Sequence, residues 1–197
     1  MHPDISSVLL THQQIAERTA QLGEAVSRDY QGKELTAICV LKGAALFFSQ
    51  LVQEIKLPVT LDFIQVSSYG KSTVSGGKLA WLKQPEFPVA GKHILLVEDI
   101  LDTGFTLWNV RQKLLGQGAA SVKICTLLDK PARRKVPQIQ ADYAGYTVPD
   151  AFLVGYGLDY DEKYRNLPYI GVLKPSCISQ AEESKAAAAA VKMKEGV

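Results

Sequence analysis

The chain has 197 residues, 47% of them hydrophobic and 21% charged, and a net charge of +2. That length makes one domain with a substantial core the default. A balance so close to neutral gives no reason to expect a nucleic-acid or membrane partner, and the composition is that of an ordinary globular protein.

The N-terminus lacks the apolar h-region of a signal peptide, and no apolar run approaches membrane-spanning length. Cys39, Cys125 and Cys177 are widely spaced, with no CxxC pair. Cys39 and Cys125 fall inside apolar, strand-like runs, where a free cysteine is a small buried apolar residue. This usage points to a reduced, cytoplasmic setting.

Thr11 to Tyr30 reads as a helix, capped by Thr11, striped by Ile15, Leu22 and Val26, and stopped by Gly32. Leu35 to Leu41 reads as a buried strand. Ala44, Phe47, Phe48, Leu51, Val52 and Ile55 then recur at helical spacing, closed by Pro58. Val59 to Val66 is a second strand. Strand, helix, strand with short connections predicts a βαβ unit and a parallel sheet. Ser67 to Lys92 is rich in breakers, and a connection this long is functional or disordered. Gly70-Lys71-Ser72 resembles the end of a phosphate-binding P-loop, but the glycine needed five positions earlier is Gln65.

The densest signal is His93 to Gly118. Ile94 to Val97 suits a buried parallel strand, and Leu107, Val110, Leu114 and Leu115 repeat at helical spacing before Gly116 and Gly118. Between them lies a predicted loop with Glu98, Asp99 and Asp102, then Thr103, Gly104, Phe105 and Thr106. The carboxyl end of a strand is where an open α/β sheet carries its ligand. Backbone N–H groups converging at a helix start can cradle a phosphate. Acids beside them can hold sugar hydroxyls or a hard cation that bridges to phosphate. The combination suggests a sugar phosphate with a metal.

Val122 to Leu128 is a further strand, followed by Asp129-Lys130-Pro131. The basic residues in Ala132 to Lys135 read as a solvated loop. Asp142 to Val148, Phe152 to Tyr156 and Tyr169 to Leu173 are strand candidates, with Gly157 to Arg165 a polar turn. Ser179 to Val197 has helix propensity but no apolar stripe, and reads as a surface tail. Taken alone, Lys42 and Lys130 would be solvated strand ends, Phe152 a core residue, and Asp159, Asp161 and Glu162 an acidic turn. His2, His12 and His93 receive no role.

The apolar strand, two acids, two apolar residues and Asp102-Thr103-Gly104-Phe105-Thr106 resemble the phosphoribosyl-diphosphate (PRPP) motif of type I phosphoribosyltransferases. Leu41-Lys42-Gly43, Ser67-Ser68-Tyr69-Gly70, Asp129-Lys130-Pro131 and Phe152 through Arg165 extend the likeness. Together they resemble the hypoxanthine(-guanine) phosphoribosyltransferases from about Leu35 to Leu173. The resemblance implies an α/β fold with a mainly parallel sheet, flanked by helices and covered by a small hood. One domain would span 1–178. Its core would take about 35–130, its hood the N-terminal segment with about 143–173, and its tail 179–197.

The implied activity is Mg²⁺-dependent transfer of phosphoribose from PRPP to hypoxanthine or guanine, giving IMP or GMP and pyrophosphate. Asp102 would be the general base or acid, with Thr103, Gly104, Phe105 and Thr106 on the 5′-phosphate. Some relatives carry Lys where Phe105 stands, so a side-chain contact there is not implied. Glu98 and Asp99 would hold the ribose hydroxyls and Mg²⁺, and Asp159 a second Mg²⁺. Lys42, Gly43 and Arg165 would bind pyrophosphate, and the peptide before Lys42 is often cis in the family. Lys130, Phe152, Leu153 and Asp159 would hold the purine, and Ser68 and Tyr69 belong to a mobile lid. The implied assembly is a homodimer or homotetramer. Two alternatives stand beside this. A non-catalytic PRPP- or nucleotide-sensing regulator could use the same fold. An aspartic protease also carries an Asp-Thr-Gly triplet, but it needs two such aspartates and an all-β fold.

Overall fold

The computed structural model describes residues 1–68 and 79–178. The chain runs β1 (Ile5–Leu10), α1 (His12–Asp29), β2 (Leu35–Leu41), α2 (Ala45–Glu54), β3 (Val59–Ser68) and β4 (Leu79–Lys83). It continues with β5 (His93–Leu101), α3 (Phe105–Gly116), β6 (Ser121–Asp129), β7 (Tyr143–Thr147), β8 (Leu153–Val154) and β9 (Ile170–Leu173).

Six strands form one sheet in the order β4-β3-β2-β5-β6-β7. Its pairings are parallel from β3 through β7, and only the edge strand β4 runs antiparallel. This is the open α/β architecture that the βαβ pattern predicts, and it excludes the all-β protease fold. Helices α1 and α2 lie over one face, burying Ile15, Val26, Phe47 and Leu51 against Ala37, Cys39, Leu95 and Val97. Helix α3 covers the other, where Leu107, Val110 and Leu114 meet Ile38, Leu96 and Ile124. Apolar residues on both faces explain why the central strands read as nearly continuous hydrophobic runs.

Thr11 caps α1 as anticipated, its hydroxyl accepting from Gln14 N while its own N–H donates to Gln14 Oε1. β1, β9 and β8 form a second, antiparallel sheet. The expected start of the hood at Tyr143 needs correction, because Tyr143–Thr147 is the sixth strand of the main sheet. Two contacts hold it there. Arg18 of α1 donates to the carbonyls of Ala144 and Gly145 at 2.9 Å each. At Gly145 an added Cβ would lie 2.3 Å from Leu127 O, so only glycine permits this approach. β1 and β4 were not anticipated from the sequence. β5 also continues past Val97 to Leu101, so Glu98 and Asp99 are strand residues rather than loop residues. The strand expected over Phe152 to Tyr156 shortens to Leu153–Val154. Tyr69, the Gly70-Lys71-Ser72 run and the 179–197 tail lie outside the described residues.

Candidate active site

β5 ends at the carboxyl edge of the sheet, and Asp102, Thr103 and Gly104 turn the chain into α3. Gly104 is the N-cap, with φ +87°. A Cβ there would lie 2.3 Å from Ile139 Cγ2, so the position demands glycine for both conformation and space. The first N–H groups of α3 have no intrahelical acceptors, which leaves an anion-receptive end beside Asp102. A cavity of about 220 Å³ opens here, lined in part by Leu41, Glu98, Asp99, Asp102, Thr103 and Thr106. Phe105 is half exposed at the helix start.

The segment after β6 supports this turn from below. Lys135 N and Val136 N both donate to Thr103 O, at 3.0 and 3.2 Å. Arg134 donates from Nε to Asp102 O at 3.0 Å, from Nη1 to Ile139 O at 2.7 Å and from Nη2 to Leu101 O at 3.2 Å. Its Nη2 also meets the Asp129 carboxylate. The expectation that Ala132 to Lys135 is a solvated loop is therefore wrong for Arg134, whose side chain is only 13% exposed. Arg133 differs as well, reaching Asp102 Oδ1 at 3.2 Å and Asp150 Oδ1 at 3.5 Å. That Asp102 oxygen is buried and takes no hydrogen bond of good geometry.

Glu98 and Asp99 are adjacent carboxylates in a largely dry strand end. Burial pushes Glu98 well above its usual range, and the neighbouring Asp99 charge adds to this. Asp99 is raised too, chiefly by burial, against the opposing hydrogen bonds from Glu98 and from Ile100 N–H. Asp99 Oδ1 accepts that N–H at 2.7 Å. A Cβ on Gly43 would stand 1.9 Å from Asp99 Oδ2, so Gly43 is pressed against the carboxylate. The Leu41-Lys42 peptide bond is cis. Gly157 (φ +100°) closes over the same loop, its own Cβ direction leading 1.9 Å from Gly43 O.

That contact brings the turn after β8 to the site. Arg165 Nη1 donates to Gly157 O at 2.8 Å, and its Nη2 faces Asp159 Oδ1 at 3.0 Å. Glu162 spans Lys42 Nζ at 3.0 Å and Arg165 Nη2 at 3.3 Å. Glu162, from the acidic turn, stays 65% exposed yet faces both cations. No local signal marks this role; only the fold shows that Lys42 lies opposite Glu162.

Lys130 is buried, donating to Ala151 O at 2.8 Å with Asp150 Oδ1 at 3.8 Å. Phe152, next along, leaves 41% of its surface exposed and meets the Tyr160 ring edge-on at 5.0 Å. Leu153 is buried in β8. Ser68 is the last residue of β3. The structure thus links Lys42, Arg165 and Asp159 through ion pairs, sets Gly43 against Asp99, and holds Lys130 against Ala151 and Asp150, the residues just before Phe152.

Among the described residues, no group of three or more His, Cys, Asp or Glu side chains gathers as a metal cage. Mg²⁺ does not require one, since one or two carboxylates with substrate phosphates and waters complete its shell. The paired, partly dehydrated carboxylates of Glu98 and Asp99 fit that demand.

A parallel sheet carries an anion-receptive helix start with flanking acids at its carboxyl edge. The phosphoribosyl transferase domain family matches residues 6–161, and the chain belongs to it. Within that family it belongs with the hypoxanthine-guanine enzymes. A hypoxanthine-guanine phosphoribosyltransferase of Bacillus subtilis (strain 168) is 48% identical over 176 residues, 89% of this chain and 97% of the relative. A solved hypoxanthine phosphoribosyltransferase of Staphylococcus aureus, 46% identical, superposes with TM-score 0.86 over 90% of this chain and 96% of that one. The hypoxanthine phosphoribosyl transferase of Trypanosoma cruzi, 36% identical, gives 0.89 over 93% and 98%.

Proposed function

We propose that the protein salvages purines by moving the 5-phosphoribosyl group of PRPP to N9 of hypoxanthine or guanine. The products are IMP or GMP and pyrophosphate. The observation that carries this reading is the Asp102–Thr106 turn opening α3 at the end of β5, in a chain 48% identical to a hypoxanthine-guanine phosphoribosyltransferase. The N–H groups of Thr103 to Thr106 would take the 5′-phosphate, with the Thr103 and Thr106 hydroxyls beside them.

The C1′–oxygen bond to pyrophosphate breaks as the bond from purine N9 to C1′ forms. Asp102 would accept the N7 proton and stabilise positive charge on the ribose. Phe152 offers an exposed ring face for stacking, and Leu153 offers backbone groups at the purine edge. Lys130 would donate to the 6-oxo group, which selects against adenine because a 6-amino group is itself a donor. Lys42, the Gly43 N–H and Arg165 would hold pyrophosphate.

Glu98, Asp99 and Asp159 would hold Mg²⁺, which neutralises the leaving pyrophosphate when bound. Ser68 and Tyr69 would belong to a lid that excludes water. Leu61 and Phe63 lie exposed on β3, which supports a homodimer or homotetramer. Cys39, Cys125 and Cys177 are free, which supports a reduced, cytoplasmic setting.

The test is nucleotide formation with PRPP and Mg²⁺, offering hypoxanthine, guanine and adenine in parallel. Turnover of the 6-oxo purines without adenine is the expected result. Binding of PRPP without turnover of any base would favour a regulator and overturn this reading.

A further inference from the structure

The turn between β8 and β9 has an unusual backbone. Asp161, Glu162 and Tyr164 are all non-glycine residues at positive φ, 55°, 62° and 73°. Such residues are uncommon outside functional or tightly determined turns. Here two sets of bonds hold them. Glu162 N donates to Asp159 Oδ2 at 2.8 Å, and Tyr160 and Lys163 exchange backbone bonds at 3.2 and 3.1 Å. The turn therefore aims the Glu162 side chain back across the site rather than away from it.

The two carboxylate oxygens divide between two cations. Oε2 lies 3.0 Å from Lys42 Nζ, and Oε1 lies 3.3 Å from Arg165 Nη2. Lys42 and Arg165 are 123 positions apart in the chain by number (165 − 42) and come from different sheets' connections, so this convergence is a product of the fold. A bidentate anion bridging one ammonium and one guanidinium is the arrangement a phosphate group would make with the same pair. The bridge is also weakly held. The Lys42 and Glu162 side chains are 56% and 65% exposed, and exposed ion pairs contribute little.

We infer that Glu162 is an internal stand-in for pyrophosphate, occupying Lys42 and Arg165 while the subsite is empty and yielding them to the diphosphate of PRPP. This rests on the proposed function and deepens it. A carboxylate that must be displaced weakens diphosphate binding and speeds the departure of pyrophosphate. The purine end meets this bridge only through the turn itself: Lys130 donates to Ala151 O, and Phe152 packs edge-on against Tyr160, away from the Glu162 carboxylate.

The test is calorimetric titration of Mg²⁺-pyrophosphate into the purified protein and its Glu162→Gln variant, with the KM for PRPP and for hypoxanthine measured alongside. Glutamine keeps the shape and leaves the backbone bond to Asp159 in place. One charge removed near a bound diphosphate in a wet site should tighten pyrophosphate about three- to tenfold, less at high salt. The KM for PRPP should fall in parallel and the KM for hypoxanthine should stay. Pyrophosphate affinity that is unchanged or weaker in the variant overturns the proposal, because Glu162 would then be neutral or a positioner of the two cations. A wild-type protein that neither binds pyrophosphate nor forms nucleotide overturns the functional reading, and this inference with it.

Discussion

Arg134 is the side chain on which the geometry of the Asp102 turn most depends, so Arg134→Ala is the most informative perturbation. Four contacts disappear at once: to the carbonyls of Asp102, Leu101 and Ile139, and to the Asp129 carboxylate. The Arg134 and Asp129 side chains are 13% and 20% exposed, so water can replace the lost partner only in part. Breaking a fully buried pair by removing one member costs about 3–5 kcal/mol. The residual exposure here lowers the expectation to about 2–4 kcal/mol. For a chain of this size each kcal/mol moves Tm by roughly 2–4 °C, giving a fall of about 5–15 °C. Asp102 would also lose its backbone anchor, and a small misplacement of a reacting group can lower kcat by about a hundredfold. Thermal denaturation by circular dichroism and steady-state kinetics read both effects. Arg134→Lys keeps a charge for Asp129 but cannot bridge three carbonyls, so it should fall between. A Tm within about 2 °C of wild type, with kcat unchanged, would refute the idea that this guanidinium holds the turn.

The remaining predictions concern other parts of the same framework. Gly104→Ala places a Cβ at left-handed φ and 2.3 Å from Ile139 Cγ2. Strain of about 1–2 kcal/mol plus overpacking of about 1–3 kcal/mol should lower Tm and raise the KM for PRPP, both measurable on one preparation. Lys130→Ala should raise the KM for hypoxanthine by about tenfold or more while sparing PRPP, as loss of a charge-assisted donor implies; an unaltered KM counts against Lys130 as the 6-oxo donor. Tyr143 OH donates to Asp29 at 2.7 Å, and this bond, with Lys123 beside it, holds the Asp29 carboxyl below its usual range. A depressed carboxyl stabilises the fold above its unfolded pKa and loses that contribution as pH falls through the lowered value. Tyr143→Phe should therefore cost about 1 kcal/mol near pH 7, with the gap to wild type closing below about pH 4 in chemical denaturation.

Much of the framework was legible because it is local. The nearly continuous apolar runs at β2, β5 and β6 and the helical spacing of Phe47, Phe48 and Leu51 follow from burial on both faces of a parallel sheet. The Asp102–Thr106 turn was readable because phosphate binding at a helix start uses consecutive residues. What escaped depends on distant partners. β1 has a short, polar-interrupted sequence and becomes a strand only by pairing with β9, where Ile5 meets Leu173. β4 is marked by no alternation of its own and forms as an antiparallel edge on β3. Glu98 and Asp99 concealed the last residues of β5, because acids in a run ordinarily end a buried strand. Arg134 and Glu162 look like solvated charges in sequence; their partners at Leu101, Asp102 and Lys42 lie in other segments of the chain.

We propose that Asp102, at the mouth of α3, carries the proton transfer of phosphoribosyl transfer. The direct measurement is single-turnover nucleotide formation by Asp102→Asn with PRPP, Mg²⁺ and hypoxanthine, together with the Kd for PRPP. Asparagine keeps the size of the side chain and removes its basicity. The chemical step should slow by about 10²–10⁴-fold, the usual share of a general base, with PRPP affinity within about threefold of wild type. An unchanged chemical step, or a loss confined to PRPP binding, would contradict it.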